Sequence, residues 1–151
     1  MTLSTSTSGA GVGPLTSAYL FGATVNLGKA LTPIPLLEGG KRIVEPITGG
    51  TIYGPGFNAT IDGGVAAPVV VTNNGTTTQI PYIYAYGHAD DGSPFYIEEM
   101  GIGSTATQNT RLIIQVSGKY AELQNLYIIG QPSVNEERTV GQVECWSVPL
   151  P

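Results

Sequence analysis

Residues 79–102 read QIPYIYAYGHADDGSPFYIEEMGI, and the alternation inside this stretch decides the fold. Tyr82, Tyr84, Tyr86 and His88 take every second position, with Ile83, Ala85 and Gly87 between them. Side chains alternate faces along a strand, so the three phenols and the histidine share one face. Ala89-Asp90-Asp91-Gly92 supplies a turn, its Asp-Gly pair tolerant of positive φ, and Phe95-Tyr96-Ile97-Glu98-Glu99 follows. The stretch predicts a β-hairpin around which the rest of the chain forms wall and lid. Its aromatic face is either a tyrosine-filled core or the lining of a pocket. A buried hydroxyl without a partner costs about 1–3 kcal/mol, a burden that Val or Leu would not carry. That cost favours the pocket.

Composition agrees with a β protein. The 151 residues suit one domain with its own core. Gly 21 and Pro 11, beside many Val, Ile and Tyr, suit short strands and tight turns. Runs of Ala, Leu, Glu and Lys at helical spacing are nearly absent. Charged residues make up 11%, against about 25% in an ordinary soluble domain. The net charge of −5, with six scattered Lys and Arg, offers no basic stripe. Nucleic acid and anionic membrane are therefore not expected as partners. No apolar run approaches the roughly 20 residues of a helical membrane span. Cys145 is the one cysteine and His88 the one histidine, which argues against an internal disulfide, a thiolate cluster or an imidazole-held metal. No metal and no cofactor are expected.

Along the chain, residues 1–14 predict a disordered tail and residues 15–151 the barrel domain. Gly9-Ala10-Gly11-Val12-Gly13 follows no strand and precedes Pro14, which speaks against a phosphate loop. Ser17 to Leu27 alternates as a first strand. Lys29 to Gly40 reads as a long loop, and Lys41 to Ile47 as a short strand. Glycines from Gly49 to Gly56 suggest bends or bulges. Phe57 to Ile61 and Val65 to Thr72 are the next strands, the second interrupted by Pro68. Asn73-Asn74-Gly75 marks a hairpin turn. Arg111 to Ser117, Leu126 to Gly130 and Val140 to Val148 complete the strands, with one helical turn at Lys119 to Asn125. Roughly eight to ten strands at hairpin spacing predict an all-β fold: a single closed antiparallel barrel, closure being the way to remove raw edges.

Localisation stays open between two readings. Met1 to Gly13 has no apolar core of a signal peptide. The sequons at Asn58 and Asn74 fit either chance or a secretory-pathway protein whose leader was removed; the alternative is a cytoplasmic protein.

An ordered set of motifs is shared with a known group. Arg42-Ile43-Val44-Glu45-Pro46-Ile47-Thr48-Gly49-Gly50-Thr51 with Gly54-Pro55 comes first, then Asp62-Gly63-Gly64, then Asp90-Asp91-Gly92 with Phe95-Tyr96-Ile97. Ser117-Gly118 with Tyr120, Asn125-Leu126-Tyr127-Ile128-Ile129-Gly130 and Gly141-Gln142-Val143 follow. In this order, over about residues 15 to 149, the chain resembles the domain-of-unknown-function 3237 family of bacteria and fungi. The resemblance implies a β-barrel of lipocalin-like outline, often a homodimer. Two departures stand out: Val65-Ala66-Ala67 where the bacterial pattern has an Asp-Trp pair, and tyrosines where it has a charged Asp and Arg. In its low charge and aromatic strand the chain resembles fungal solo-barrel enzymes of secondary metabolism. Among them are hetero-Diels–Alderases that join a tropolone quinone methide to a humulene-type sesquiterpene.

Tyr84, Tyr86, His88 and Glu99 are the candidate catalytic residues. Tyr82, Tyr53, Tyr96, Glu98, Tyr127 and Trp146 are the candidate substrate contacts. Tyrosines stack on conjugated rings and donate O–H to a carbonyl whose electron density rises in a transition state. His88 is either a surface residue or, if the mouth lies at its end, a general acid or base near neutral pH. Glu98 and Glu99 point to opposite faces. A two-residue turn sets Glu99 opposite Tyr84, and a bulged three-residue turn sets Glu98 there. Asp90 and Asp91 read as turn formers; Lys41 and Arg42 read as solvated charges or mouth residues. Trp146 and Tyr127 could face either way, serving the pocket if inward and a dimer surface if outward. Three functions follow: a cofactor-free cyclase of pericyclase type acting on an apolar or aromatic small molecule, a non-catalytic lipocalin-like binder, or a His/Glu acid–base isomerase or dehydratase.

Overall fold

Alternating burial is sharpest on Gln108–Val116, where Gln108, Thr110, Leu112, Ile114 and Val116 are buried and the residues between them exposed. That pattern places one face of the strand against a core and the other against water. The computed structural model describes residues 16–150. The tail expected at residues 1–14 lies outside them.

Eight strands form the barrel. In chain order they are β1 (Ala18–Leu27), β4 (Glu45–Tyr53), β5 (Ala59–Ala66), β8 (Tyr82–Ala89), β9 (Pro94–Gly103), β10 (Gln108–Val116), β11 (Tyr127–Val134) and β12 (Val140–Val148). Each pairs antiparallel with its neighbours in the order β10-β11-β12-β1-β4-β5-β8-β9, and the β9–β10 ladder closes the ring. A flanking sheet joins β2 (Ile34–Pro35), β3 (Lys41–Arg42), β6 (Val69–Asn73) and β7 (Thr76–Ile80). It attaches to β9 through the pair Gln79 and Gly103.

Local differences from the sequence reading have local causes. Val65 to Thr72 is two strands: β5 ends at Ala66, and Pro68, which has no N–H to donate, separates it from β6. Lys41 to Ile47 is likewise divided, and β4 runs on through Gly49 and Gly50, its register with β1 shifting at Thr48, between Ile47 and Gly49. The Asn74-Gly75 turn has both central residues at positive φ (51° and 77°), as a two-residue hairpin turn requires. Asn58, the other sequon, accepts from Gly54 N–H and donates to Gly54 O, so its amide is committed to that loop.

One end of the barrel is sealed. Gly118–Asn125 forms a 3-10 segment that buries Leu123. Phe57, fully buried, makes edge-to-face contacts with Phe21, Phe95 and Tyr120 at centroid distances of 5.7, 5.5 and 4.9 Å. Such pairs add about 0.5–1.5 kcal/mol each beyond area burial. The β8–β9 turn lies at this end. Gly92 adopts φ 85°, and Ala89 N–H bonds to Ser93 O, giving the three-residue form. Asp90 and Asp91 do more than turn. Asp91 Oδ2 accepts the Lys119 N–H at 3.0 Å, and Asp90 Oδ1 accepts the Tyr120 O–H at 2.8 Å, tying the turn to the 3-10 segment.

Candidate active site

The interior is graded along its length. On β9 the inward residues run Phe95, Ile97, Glu99; on β10 they run Val116, Ile114, Leu112, Thr110, Gln108. Both series pass from apolar at the sealed end to polar at the other. An eight-stranded barrel has an interior that side chains just fill, or that holds one small ligand. Here the aromatic half is filled, and the polar half is hollow.

The hollow is a cavity of about 80 Å3 whose walls include Val25, Ile47, Ile83 and Val143, with the polar groups Glu45, Gln79, Glu99, Gln108 and Arg138. It lies at the end remote from the β8–β9 turn, where β1, β5, β9 and β11 finish. This volume suits a ring-sized group; sites that enclose a drug-sized ligand measure roughly 300–1,000 Å3. A groove of about 610 Å3 runs along the β9–β10 turn and the end of β11, and shares Gln108, Pro132 and Ser133 with the cavity. Cavity and groove together provide a small inner chamber and a larger outer one.

Glu99 is the chemically distinctive group. It is 4% exposed, and burial pushes its carboxyl up to about 7, opposed in part by the Thr110 hydroxyl 2.7 Å from Oε2. Desolvation penalises the charged form, so this is an acid that holds its proton close to neutrality. Glu45, 1% exposed, has a different solution. Arg138 reaches it with Nε at 3.0 Å and Nη2 at 2.5 Å, a two-point pairing of the kind guanidinium geometry favours. Arg138 is delivered by a tight turn in which Asn135 Oδ1 accepts the N–H groups of Thr139 and Val140, and Asn135 O accepts that of Arg138. Two buried carboxyls thus stand at one cavity, one paired with a guanidinium and one that desolvation raises to about 7.

Of the residues expected at the site, Glu99 is the one that the structure places at the cavity. The three-residue turn pairs Glu98 with Tyr84, so Glu98 faces out and Glu99 in. Tyr82, Tyr84, Tyr86 and His88 do share a face, but it is the outer wall: Tyr86 is 55% exposed and the His88 side chain 62%. The inward residues of β8 are Ile83, Ala85, Gly87 and Ala89, and the reason is steric. Gly87 pairs with Phe95 and Ala85 with Ile97, and a Cβ on Gly87 would stand 2.0 Å from Thr60 O on β5 and 2.9 Å from the Phe95 ring. Small residues on β8 make room for large ones on β9. The phenols, which would each need a buried partner inside, are outside where water can serve them.

The remaining expected contacts lie on the outer wall as well. Tyr96 donates to Glu98 at 3.0 Å, and Tyr53 and Tyr127 are exposed. Trp146 packs edge-on to Tyr19 rather than lining the pocket, and Cys145 on the opposite face is buried. His88 holds Asp62 at 2.6 Å beside the sealed end, so it is far from the mouth along its strand. Arg42 lies 4.9 Å over the Tyr82 ring and donates to Ala67 O. Among the described residues no group of three or more His, Cys, Asp or Glu is arranged to hold a metal.

Gln79, Gln108, Thr110, Glu45 and Arg138 were not singled out by the sequence. The available signal was the alternation on Gln108–Val116 itself: a polar Gln-x-Thr start continuing an apolar Leu-x-Ile-x-Val row must face the same interior.

No family model matches the chain, and no curated protein matches it. Solved structures do. A conserved protein of unknown function from Rhodopseudomonas palustris superposes with TM-score 0.78 at 19% identity, over 91% of this chain and 100% of that one. A β-barrel-like protein from Acinetobacter baumannii gives 0.76 at 16%, over 93% and 99%. An enzyme from Penicillium herquei gives 0.72 at 22%, again over 93% and 99%. At these identities the likeness is one of fold: the chain shares a single-barrel architecture with bacterial proteins and with a fungal enzyme.

Proposed function

We propose that the protein is a cofactor-free small-molecule cyclase or isomerase whose reaction takes place inside the barrel, with Glu99 as the proton-transferring group. The observation that carries this is a buried carboxyl, raised to about 7 by desolvation, in the wall of a cavity lined by both apolar and polar side chains. A general acid works best when its pKa lies near the working pH. Shielded from water, a neutral carboxylic acid donates a stronger hydrogen bond to a carbonyl than it could in bulk solvent.

One acid that gives a proton and takes one back leaves the composition of the substrate unchanged. Ring closure and double-bond migration meet that condition; dehydration adds only the release of water. A cycloaddition across a conjugated carbonyl fits the same site, because Glu99 O–H can stabilise the oxygen whose electron density rises. The hetero-Diels–Alder reading therefore moves from a phenol-lined pocket to a carboxyl-lined one. The size of the inner chamber requires that a tropolone- or terpene-sized substrate place only its reacting end beside Glu99 and rest its bulk in the adjoining groove. The fold shared with a Penicillium enzyme supports a catalytic role.

The test is incubation with conjugated carbonyl substrates of increasing size, followed by chiral chromatography. Glu99→Gln should slow product formation by about 10²–10⁴-fold, the usual contribution of general acid catalysis. Equal rates in the two proteins would refute the proposal. Recovery of every substrate unchanged, with tight binding, would favour a lipocalin-like carrier instead.

A further inference from the structure

Gln79 is the polar group of the cavity that acid catalysis leaves unused. It stands on β7, where the flanking sheet meets the barrel, and is 4% exposed. Its side chain lines the cavity with Pro81, Ile83, Glu99 and Gln108. Its Oε1 is buried with no protein partner among the described residues. An unpaired buried acceptor costs about 1–3 kcal/mol. Met or Leu would fill the same space without that cost, so packing alone does not account for an amide here.

The neighbouring polar groups are engaged. Gln108 Nε2 donates to Ser104 O at 2.7 Å, Arg138 is paired with Glu45, and Thr110 is bonded to Glu99. We infer that Gln79 selects the substrate, its amide pairing with a hydroxyl on an uncharged, otherwise apolar molecule whose reacting end occupies the cavity. A hydroxyl both donates and accepts through one atom. It therefore suits either orientation of the amide, whose terminal torsion is broad and two-fold. A carboxylate is a poor fit, since Glu45 and Glu99 line the same space and the one guanidinium there is already paired. This inference rests on the barrel interior being the site, and it narrows the substrate class to neutral hydroxylated compounds with a ring-sized apolar head.

Phenol and toluene, which exchange a hydroxyl for a methyl at similar volume, are suitable probes. Each is titrated into the full chain, into Gln79→Met and into Gln79→Leu, and followed by NMR shifts of Ile83, Gln108 and Val143. The expected result is that the ratio of phenol affinity to toluene affinity falls about fivefold in either variant, the value of one net hydrogen bond, while toluene still binds. An unchanged ratio in a folded variant would overturn the inference. So would the absence of shifts at these residues with both probes. Probe binding needs no turnover and is measured where no reaction occurs. Loss of acid catalysis and loss of hydroxyl selection are thus read separately, and either can fail while the other stands.

Discussion

The Thr110 hydroxyl sits between two acceptors, 2.7 Å from Glu99 Oε2 and 3.1 Å from Gly130 O. A threonine has one hydroxyl hydrogen to give. That hydrogen serves Glu99 Oε2 or Gly130 O, and when given to Glu99 it favours the ionised carboxylate. If Glu99 is ionised, Thr110 must turn to the carboxylate and leave Gly130 O. The Thr110 bond therefore works against burial, and burial is the larger effect, raising the carboxyl to about 7.

Stability should follow the Glu99 proton. The Glu99 carboxyl is raised from 4.5 to about 7 on folding, so between those values the folded chain holds a proton that the unfolded chain has released. Stability then falls as pH rises from about 4.5 through 7, and the full loss is on the order of 3 kcal/mol. Denaturant melts of wild type and Glu99→Gln across this range should show the decline in wild type and its absence, at this position, in the variant. Parallel pH dependences would be evidence against a buried, perturbed acid.

Removing Arg138 tests the second carboxyl. Arg138→Met leaves Glu45, 1% exposed, without its cation. The cost should be about 3 kcal/mol, at the low end for orphaning a buried charge because the guanidinium itself is part exposed. Much of that loss should return in the Glu45→Gln/Arg138→Met double variant. Urea titration of the three proteins measures it. A single variant as stable as wild type would mean that the ion pair contributes nothing at this end of the barrel.

The outer-wall tyrosines should be dispensable for the chemistry. Tyr84→Phe with Tyr86→Phe keeps both rings, including that of Tyr86 over Gly63, and removes only hydroxyls on the outer face. Stability should change by less than about 0.5 kcal/mol, and turnover should be unaffected. A large loss of rate in this folded variant would return the active site to the outer wall.

The hairpin, the barrel and the turn residues were legible because each rests on local signals: alternation, Asp91-Gly92, Asn74-Gly75. Which face of β8 turns inward was not. Alternation states that Tyr82, Tyr84 and Tyr86 share a side, and one residue more or less in a turn exchanges the two sides for the partner strand. The deciding fact lies across the ladder, in the match of Gly87 to Phe95 and of Ala85 to Ile97. The desolvation cost of buried phenols was a sound argument with two solutions, a wet cavity or the solvent, and the fold took the second. Glu45 and Arg138 are 93 residues apart in sequence, and nothing local announces a pair that only barrel closure brings together.

The most direct measurement is a carbon-detected NMR titration of the Glu99 side-chain carboxyl in the wild-type protein, assigned by comparison with Glu99→Gln. A midpoint near 7 is predicted. A midpoint near the ordinary glutamate value of about 4.3 would contradict the account, because the cavity would then hold a carboxylate rather than an acid at neutral pH.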